Sequence, residues 1–207
     1  MIDIFDNKKL DLTNITCHSG GASGSDTEFE KINQEFGVKT KAYSYKTPKH
    51  TSPNKVEISD SDYKEGVEEI YKANKILSRW GIQRYMNLLA RNWAQVKYSE
   101  QVIAIGSIIR SGEKGHRGYY NKSKFDVVDG GTGYAVCMAI NKQKEVYVFD
   151  QDQLNWFRWS YTSNKFIQCD CPAIKHQNFA GIGTREIKEI GILAIRDVFN
   201  KTFKNII

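Results

Sequence analysis

Three short glycine-rich segments contain the residues of this chain that are best suited to bind an anion. They span residues 18–26 (HSGGASGSD), 128–134 (VDGGTGY) and 179–186 (FAGIGTRE). Each lies between a short apolar run, which predicts a strand, and a stretch with helical spacing. Glycine lets the backbone approach an anion closely, a helix N-terminus offers unpaired N–H groups, and Ser or Thr adds hydroxyl donors. Together the three segments predict a phosphate-binding site.

Any one of these segments could instead be a plain tight turn, with Asp26 and Thr184 as helix N-caps. Their occurrence three times in one short chain favours an anion site. None of them is the Gly-x-x-x-x-Gly-Lys-Ser/Thr loop of ATP-hydrolysing proteins, and the dinucleotide fingerprint Gly-x-Gly-x-x-Gly does not occur either. The sequence therefore does not support ATP hydrolysis of that class.

A long polar segment, residues 110–124, follows the apolar run QVIAI at 101–105. It carries Arg110, Arg117, one His and two Tyr between glycines. Arginine binds phosphate through two parallel hydrogen bonds, and tyrosine stacks on nucleobases. The segment should lie over the same end of the sheet, where it could act as a mobile lid that closes on a nucleotide. The alternative is a long, solvated surface loop. Tyr45, at the end of a predicted strand, is equally open to a ligand-contacting or a structural role.

The predicted ligand-binding residues belong to the three glycine-rich segments, the long loop and the adjacent strand ends. They are Ser19, Gly20, Gly21, Ser23, Gly24, Asp26, Tyr45, Gly106, Ser107, Arg110, Arg117, Gly130, Gly131, Thr132, Gly133, Gly181, Gly183, Thr184, Arg185 and Glu186. No catalytic residue and no cofactor is predicted. No metal ligand is predicted, because the close pair Cys169 and Cys171 has no second pair to complete a zinc site.

The elements that must position these residues alternate between strand and helix. Apolar runs predict strands over 12–17, 38–45, 101–105, 145–149 and 178–181, and helical spacing predicts helices over 26–36, 62–93 with a bend at Gly81, 132–141 and 184–199. This alternation predicts an α/β, Rossmann-like sandwich with a mostly parallel sheet flanked by helices. Residues 156–161 and 165–169 predict a C-terminal β-hairpin within a single domain of residues 1–207, as an excursion over about 154–170.

Composition limits the class of protein. The chain has 207 residues, 40% hydrophobic and 26% charged, with a net charge of +6. No run approaches the 18 apolar residues of a membrane-spanning helix, and the N-terminal residues do not resemble a signal peptide. We therefore expect a cytoplasmic protein with no membrane partner. The surplus charge is scattered, which favours a solvated surface over a nucleic-acid stripe.

The first segment, Ser19-Gly20-Gly21-Ala22-Ser23-Gly24-Ser25-Asp26, resembles the SGGA-x-G-x-D turn of the SLOG superfamily. That group includes the DNA-processing protein A family, the Lonely Guy phosphoribohydrolases and the molybdenum-carrier-like proteins. Residues 91–97 with 101–106 are similar to the helix and third strand of the group, and residues 130–133 to its GG-x-G turn. These motifs cover residues 12–150, while the 179–186 segment has the look of a further family turn displaced toward the C-terminus. The resemblance implies a Rossmann-like fold that binds nucleotide-derived ligands, often as a homo-oligomer.

One departure from the family pattern bears on activity. Lonely Guy enzymes carry Pro-Gly-Gly-x-Gly-Thr-x-x-Glu, whose Glu assists cleavage of the N-glycosidic bond. This chain has Asp129, Tyr134 and Cys137 where that motif has Pro, Thr and Glu. A thiol in an apolar helix does not replace a carboxylate as general acid or base at neutral pH.

The leading hypothesis is therefore a non-catalytic binder of a phosphate-bearing, nucleotide-derived ligand. Related proteins in bacterial immunity read cyclic ADP-ribose isomers and similar small proteins occur in phages, so the resemblance implies sequestration of such a signal in the host cytoplasm to counter immunity. The first alternative is an N-glycosidase acting on nucleoside monophosphates or NAD-like substrates, with Glu186 or Asp26 as its acid. A weaker alternative is binding of single-stranded DNA.

Overall fold

The computed structural model describes residues 10–203. Its strands are β1 (Thr16–Ser19), β2 (Lys39–Ser44), β3 (Lys55–Glu57), β4 (Gln101–Gly106), β5 (Ile108–Ile109), β6 (Val127–Val128), β7 (Glu145–Asp150), β8 (Asn155–Ser160), β9 (Lys165–Cys169) and β10 (Asn178–Gly183). Its α-helices are α1 (Ser25–Glu35), α2 (Asp60–Leu77), α3 (Met86–Lys97), α4 (Thr132–Asn141) and α5 (Glu189–Phe203). Short 3-10 helices occupy Leu12–Asn14 and Ile82–Tyr85.

Eight of the strands form one sheet in the order β3-β2-β1-β10-β4-β7-β8-β9. The six strands from β3 to β7 are parallel, whereas β8 pairs antiparallel with β7 and β9 antiparallel with β8. Strands β5 and β6 form a separate antiparallel ribbon. The predicted α/β, Rossmann-like sandwich with a mostly parallel sheet is confirmed, and the predicted hairpin forms its antiparallel edge.

The last strand of the chain lies in the middle of the sheet. Strand β10 pairs with β1 on one side, Phe179 opposite Cys17, and with β4 on the other, Phe179 opposite Gln101. The carboxyl ends of β1, β10 and β4 therefore meet at one edge of the sheet. In open α/β sheets this edge is where ligands bind.

Helices cover both faces of the sheet. Helices α2, α3 and α4 bury one core with Ile70, Leu89 and Met138, and helices α1 and α5 bury the other with Phe29 and Phe199. Successive residues of β4 enter the two cores alternately, so that Val102 and Ala104 face one and Ile103 and Ile105 the other. A strand buried on both faces reads as a continuous apolar run, which is why QVIAI was recognisable. No helix among residues 10–203 combines the length and the apolar character that a bilayer crossing requires.

Several predicted element bounds are wrong. The segment predicted as a strand from residue 12 begins with a 3-10 helix, because the Asp11 side chain accepts a hydrogen bond from Thr13 N and caps it. The predicted helix over 184–199 starts only at Glu189, because Gln151 Oε1 accepts from Lys188 N at 2.7 Å and Thr184 Oγ1 accepts from Glu186 N at 3.2 Å. Strand β3 lies within a segment that carried no strand signal.

Candidate functional site

The first glycine-rich turn joins β1 to α1 at the carboxyl edge of the sheet, and two side chains of α3 lie beneath it. Arg91 Nη1 donates to Gly20 O at 2.6 Å, and Gln95 lies against Gly20. Both side chains are buried, with 7% and 2% of their surface exposed. A Cβ atom on Gly20 would also lie 2.6 Å from Asp26 Oδ2, so glycine is required here by close packing.

The next two glycines are required by backbone conformation. Gly21 has a backbone φ of +59° and Gly24 has one of +96°, and residues other than glycine rarely adopt such values. The His50 ring, from the β2–β3 loop, lies over Gly21, and its Nε2 donates to Gly20 O at 3.0 Å. Gly24 is the N-cap residue of α1, so the interpretation of Asp26 as N-cap is wrong.

Asp26 is a buried acid at the base of this turn. Its carboxylate lies 3.8 Å from Arg91 Nη2 and accepts from Ala22 N at 3.3 Å. Burial raises the pKa of the Asp26 carboxyl to about 6, while Arg91 acts in the opposite direction. This residue therefore exchanges its proton within a pH unit of neutrality.

The third glycine-rich segment meets the first turn directly. Ser25 N and Ser25 Oγ both donate to Thr184 O, at 3.0 and 2.8 Å. A Cβ atom on Gly183 would lie 2.7 Å from Ile105 O, and one on Gly24 would lie 2.6 Å from the backbone of Arg185. The glycines at this junction therefore allow two strand ends to touch.

Gly181 serves another purpose. It lies inside β10, where a Cβ atom would meet the Phe29 ring at 2.7 Å and Cys17 Sγ at 2.9 Å. Gly181 was predicted to contact the ligand, and we assign it to packing instead, because its missing side chain makes room for α1 on the sheet. The third segment also lacks a helix N-terminus, since residues 184–188 separate β10 from α5.

Charged side chains surround the junction of these two turns. Arg185 is exposed. Burial lowers the pKa of the Arg91 guanidinium, and the positive charge of Arg185 acts in the same direction, whereas Asp26 and Tyr45 act against it. Tyr45 directly follows β2 and is half-buried.

The second glycine-rich turn, residues 128–133, is held from below by a guanidinium. Arg79 Nη2 donates to Val128 O at 2.7 Å, and Arg79 Nη1 donates to Gly130 O. Asn92 Nδ2, from the residue after Arg91 in α3, donates to Gly131 O at 3.3 Å. Helix α3 therefore contacts the first turn and the second turn through adjacent residues.

The second turn also packs on the end of β4. Asp129 N donates to Ser107 O at 2.9 Å, and a Cβ atom on Gly106 would lie 2.9 Å from a methyl group of Val128. Thr132 is buried at the start of α4, and Gly133 packs against Val128 O. These residues therefore shape the turn and its helix.

Arg117 lies on the outer side of the second turn. Its guanidinium is over Gly130, and Arg117 Nη2 contacts Glu186 at 3.4 Å. Both side chains are exposed, Glu186 to 73%, so the pair contributes little and opens readily. Glu186 also accepts a hydrogen bond from Thr184 Oγ1 at 2.8 Å. Ser23, another predicted site residue, lies within the first turn. Arg117 and Glu186 thus bridge the second and third segments.

Arg110, another predicted site residue, points away from the glycine-rich turns and toward the hairpin. Arg110 Nη1 donates to Asp126 Oδ2 at 2.6 Å and to Phe166 O at 3.0 Å, and its guanidinium lies over the Phe157 ring. It therefore fastens the long loop to the hairpin. His116 Nε2 and Asp152 Oδ2, 2.6 Å apart, fasten the tip of the same loop to the end of β7.

Three buried polar atoms beneath the first turn have no hydrogen-bond partner in the part of the chain that the structure describes. They are Ser19 Oγ, Arg91 Nε and Gln95 Nε2. Buried polar groups are nearly always paired, and an unpaired one costs about 1–3 kcal/mol. These atoms are closed off from solvent, so a bound molecule reaches them only when the turn above them shifts.

The residues that sequence reasoning missed are those of α3 and the loops beneath the turns: Arg79, Arg91, Asn92, Gln95 and His50. A signal for two of them was present, because Arg91 and Gln95 are polar residues four apart, so they lie on the same face of the helix. Arg79 and His50 lie in loops, where no periodicity applies. His18, by contrast, is structural, because Tyr43 and Asn178 occupy its two ring nitrogens at 3.0 and 3.1 Å.

Two concave spaces lie beside the hairpin. A groove of about 510 Å³ borders the hairpin, with Arg158, Cys169 and Lys201 among its lining residues. A pocket of about 230 Å³ lies between α4 and Trp159 and touches the second turn at Val128 and Gly133. Within residues 10–203, no three His, Cys, Asp or Glu side chains are grouped so that they could hold a metal ion.

Comparison of the chain with protein-family models, with curated proteins and with solved structures finds no match. The SLOG resemblance therefore stays a prediction that depends on the motifs of the turns.

Proposed function

We propose that the protein binds a phosphate-bearing, nucleotide-derived ligand at the edge of the sheet where its three glycine-rich segments meet. The observation that carries the proposal is the first turn, where unpartnered Ser19 Oγ, Arg91 Nε and Gln95 Nε2 lie beneath the N-terminus of α1. The N-terminus of α1 carries a partial positive charge, and its Ser25 N and Thr27 N already donate to Thr184 O and Ala22 O. An anion above this turn is attracted by that charge and by the Arg91 guanidinium beneath it.

The cationic side chains around the turns support the same ligand class. Arg185 lies at the junction of the first and third segments, where its backbone packs on Gly24, and Arg117 lies over Gly130 of the second. Only one carboxylate, Asp26, faces Arg91 among the ion pairs of the described residues. Several guanidiniums along one edge suit a ligand with more than one anionic group, as in ADP-ribose derivatives.

On the motif resemblance, we further propose that this ligand is a cyclic ADP-ribose-like signal, which the protein sequesters without turnover. Binding without chemistry predicts that a captured ligand is released with its mass intact. Native mass spectrometry of the purified protein, followed by denaturation, measures this directly. Release of a cleaved product would overturn sequestration.

The binding proposal is tested by calorimetry with cyclic ADP-ribose isomers, NAD and nucleoside monophosphates. Arg185→Ala is the informative variant, because Arg185 is exposed and its loss should spare the fold. We expect at least one ligand to bind the wild type and Arg185→Ala to weaken it about tenfold, as for a charge-assisted hydrogen bond.

Arg196→Ala is the matched control, since Arg196 is a partly exposed arginine that pairs with Glu35 between α5 and α1, away from the turns. Its affinity should equal that of the wild type. An absence of binding across the ligand panel, or equal losses in both variants, would overturn the proposal.

A second function, N-glycosidic hydrolysis, is favoured by one observation. Asp26 is buried beside Arg91, and its pKa of about 6 lets it carry a proton near neutral pH. In this reaction protonated Asp26 gives its proton to the leaving base nitrogen, which takes the electrons of the broken C–N bond. Water oxygen bonds to the anomeric carbon, and its released proton returns to Asp26.

Release of free base from NAD or nucleoside monophosphates tests this alternative. Asp26→Asn should abolish the release, whereas Glu186→Gln, which alters an exposed carboxylate of the same edge, should leave it within about twofold. Activity that survives Asp26→Asn would remove Asp26 from the role of acid.

A further inference from the structure

Trp80 differs from the other three tryptophans of the chain. Trp93, Trp156 and Trp159 are 5–6% exposed, whereas Trp80 is 83% exposed. Trp80 takes part in none of the aromatic pairs found among residues 10–203. Leaving so large an apolar surface in water forgoes the free energy of its burial. An exposed tryptophan of this kind requires an explanation.

The backbone that carries Trp80 is held firmly. Asn74 Nδ2 donates to Arg79 O at 3.0 Å, and Asn74 Oδ1 accepts from Arg79 N at 3.1 Å and from Tyr134 Oη at 2.6 Å. Ser78 (φ 49°) and Gly81 (φ 67°) place left-handed residues on both sides of the pair 79–80. The ring of Trp80 is thus presented to solvent from a fixed support, which lowers the entropy cost of a contact with another molecule.

This support stands beside the second glycine-rich turn. The residue before Trp80, Arg79, donates through both of its terminal nitrogens to carbonyls of that turn, Val128 O and Gly130 O. Of the residues that follow Trp80, Gly81, Gln83, Arg84 and the aromatic Tyr85 are exposed, and Ile82 is buried. The surroundings suit a flat, partly polar group next to an anion better than they suit an apolar protein interface.

We propose that Trp80 is the surface on which the aromatic base of the ligand stacks. This inference rests on the proposed function, because it assigns the base to Trp80 and leaves the phosphate groups to the turns. A tryptophan ring stacks on any base through its π-face, so Trp80 would add affinity for nucleotides over sugar phosphates. It would determine ligand class without taking part in any reaction.

The test compares AMP with ribose 5-phosphate, which has the same anionic group but no base. Calorimetry is done on the wild type, Trp80→Ala, Trp80→Phe and, as matched control, Tyr71→Ala, which removes an exposed aromatic side chain from α2. We expect Trp80→Ala to weaken AMP about tenfold and to leave ribose 5-phosphate unchanged. Trp80→Phe should retain most of the AMP affinity, and Tyr71→Ala all of it.

Fluorescence supplies an independent measurement, because the other tryptophans are buried and acrylamide reaches chiefly Trp80. AMP should protect the wild type from quenching, and ribose 5-phosphate should not. If the wild type binds neither probe, this inference is overturned, whereas the proposed function fails only when cyclic ADP-ribose isomers and NAD do not bind either. If the wild type binds AMP but Trp80→Ala binds AMP equally well, weakens both probes equally, or changes the oligomeric state, the assignment to Trp80 alone is overturned.

Discussion

At the scale of single residues, Asp26 shows how burial sets chemistry. Its carboxyl group lies under the first turn with one guanidinium, Arg91, at 3.8 Å. That distance is long for an ion pair, so the attraction does not repay the loss of hydration, and the pKa rises from 3.8 to about 6. Burial therefore lets Asp26 hold its proton at a higher pH than an exposed carboxyl group does.

This pKa shift predicts a pH dependence of stability. Between about pH 4 and 6 the folded protein holds a proton on Asp26 that the unfolded chain has lost, so this group stabilises the fold at low pH and loses that contribution as the pH rises through 6. Asp26→Asn should remove this decline, which is on the order of 3 kcal/mol. Urea unfolding of both proteins at several pH values measures the difference.

Glu186→Gln serves as the control for that titration, because the Glu186 carboxylate is exposed. It should leave the slope unchanged between pH 4 and 6. Parallel curves for the wild type and Asp26→Asn would contradict the assigned shift.

At the scale of elements, the long polar segment 110–124 contains two arginines with different roles. Arg110 pairs with buried Asp126, which also accepts from Phe166 N at 3.0 Å and so ties the loop to β9. Arg117 is exposed over the second turn. A sequence reading cannot separate them, since both sit among glycines in one polar segment.

Substitutions separate the two tasks. Asp126→Ala leaves Phe166 N without its acceptor and Arg110 without its carboxylate partner, and we expect it to lower the free energy of unfolding by about 2–3 kcal/mol. Arg117→Ala should cost less than about 0.5 kcal/mol of stability but weaken a phosphate-bearing ligand. Denaturation and calorimetry on both variants check this, and a stability loss in Arg117→Ala that matches Asp126→Ala would refute the distinction.

The glycines of the turns also differ in what they permit. A Cβ atom on Gly183 would lie 2.6 Å from Ser25 Cβ and 2.7 Å from Ile105 O, whereas one on Gly131 would meet nothing within 4 Å. We expect Gly183→Ala to destabilise the protein by about 1–3 kcal/mol, because the first and third segments must move apart. Gly131→Ala, whose φ of −62° suits any residue, should cost less than about 1 kcal/mol. Thermal unfolding of the two variants gives the comparison; equal midpoints would show that the close approach is not required.

At the scale of the whole molecule, the last strand of the chain occupies the centre of the sheet. Strand β10 lies between β1 and β4, and its Phe179 packs in the same core as residues of α5. The candidate site exists only once this strand is in place, since Thr184 at its end joins the first turn. The carboxyl edge therefore joins β1 to β10, which are far apart in the sequence, with β4 from the middle of the chain beside them.

A proline tests this dependence. Ala180→Pro, in the strand paired on both sides, should cost at least about 3 kcal/mol and leave little folded protein. Ile167→Pro, in edge strand β9, should cost less because that strand has one neighbour. Circular dichroism with urea unfolding measures both, and a folded Ala180→Pro protein would contradict the central position of β10.

The local sequence determined the elements whose pattern is complete within a few residues. The α/β alternation, the hairpin and the bounds of α4 follow from periodicity and turn residues, because those signals reflect which side chains a single strand or helix buries. The glycine-rich segments were likewise visible as turns. What only the tertiary structure decided is which residues those turns meet: Arg91 and Gln95 beneath the first, Arg79 beneath the second, and Arg110 directed to the hairpin. The order of strands and the direction of side chains depend on packing between segments far apart in the chain, and no local period encodes that.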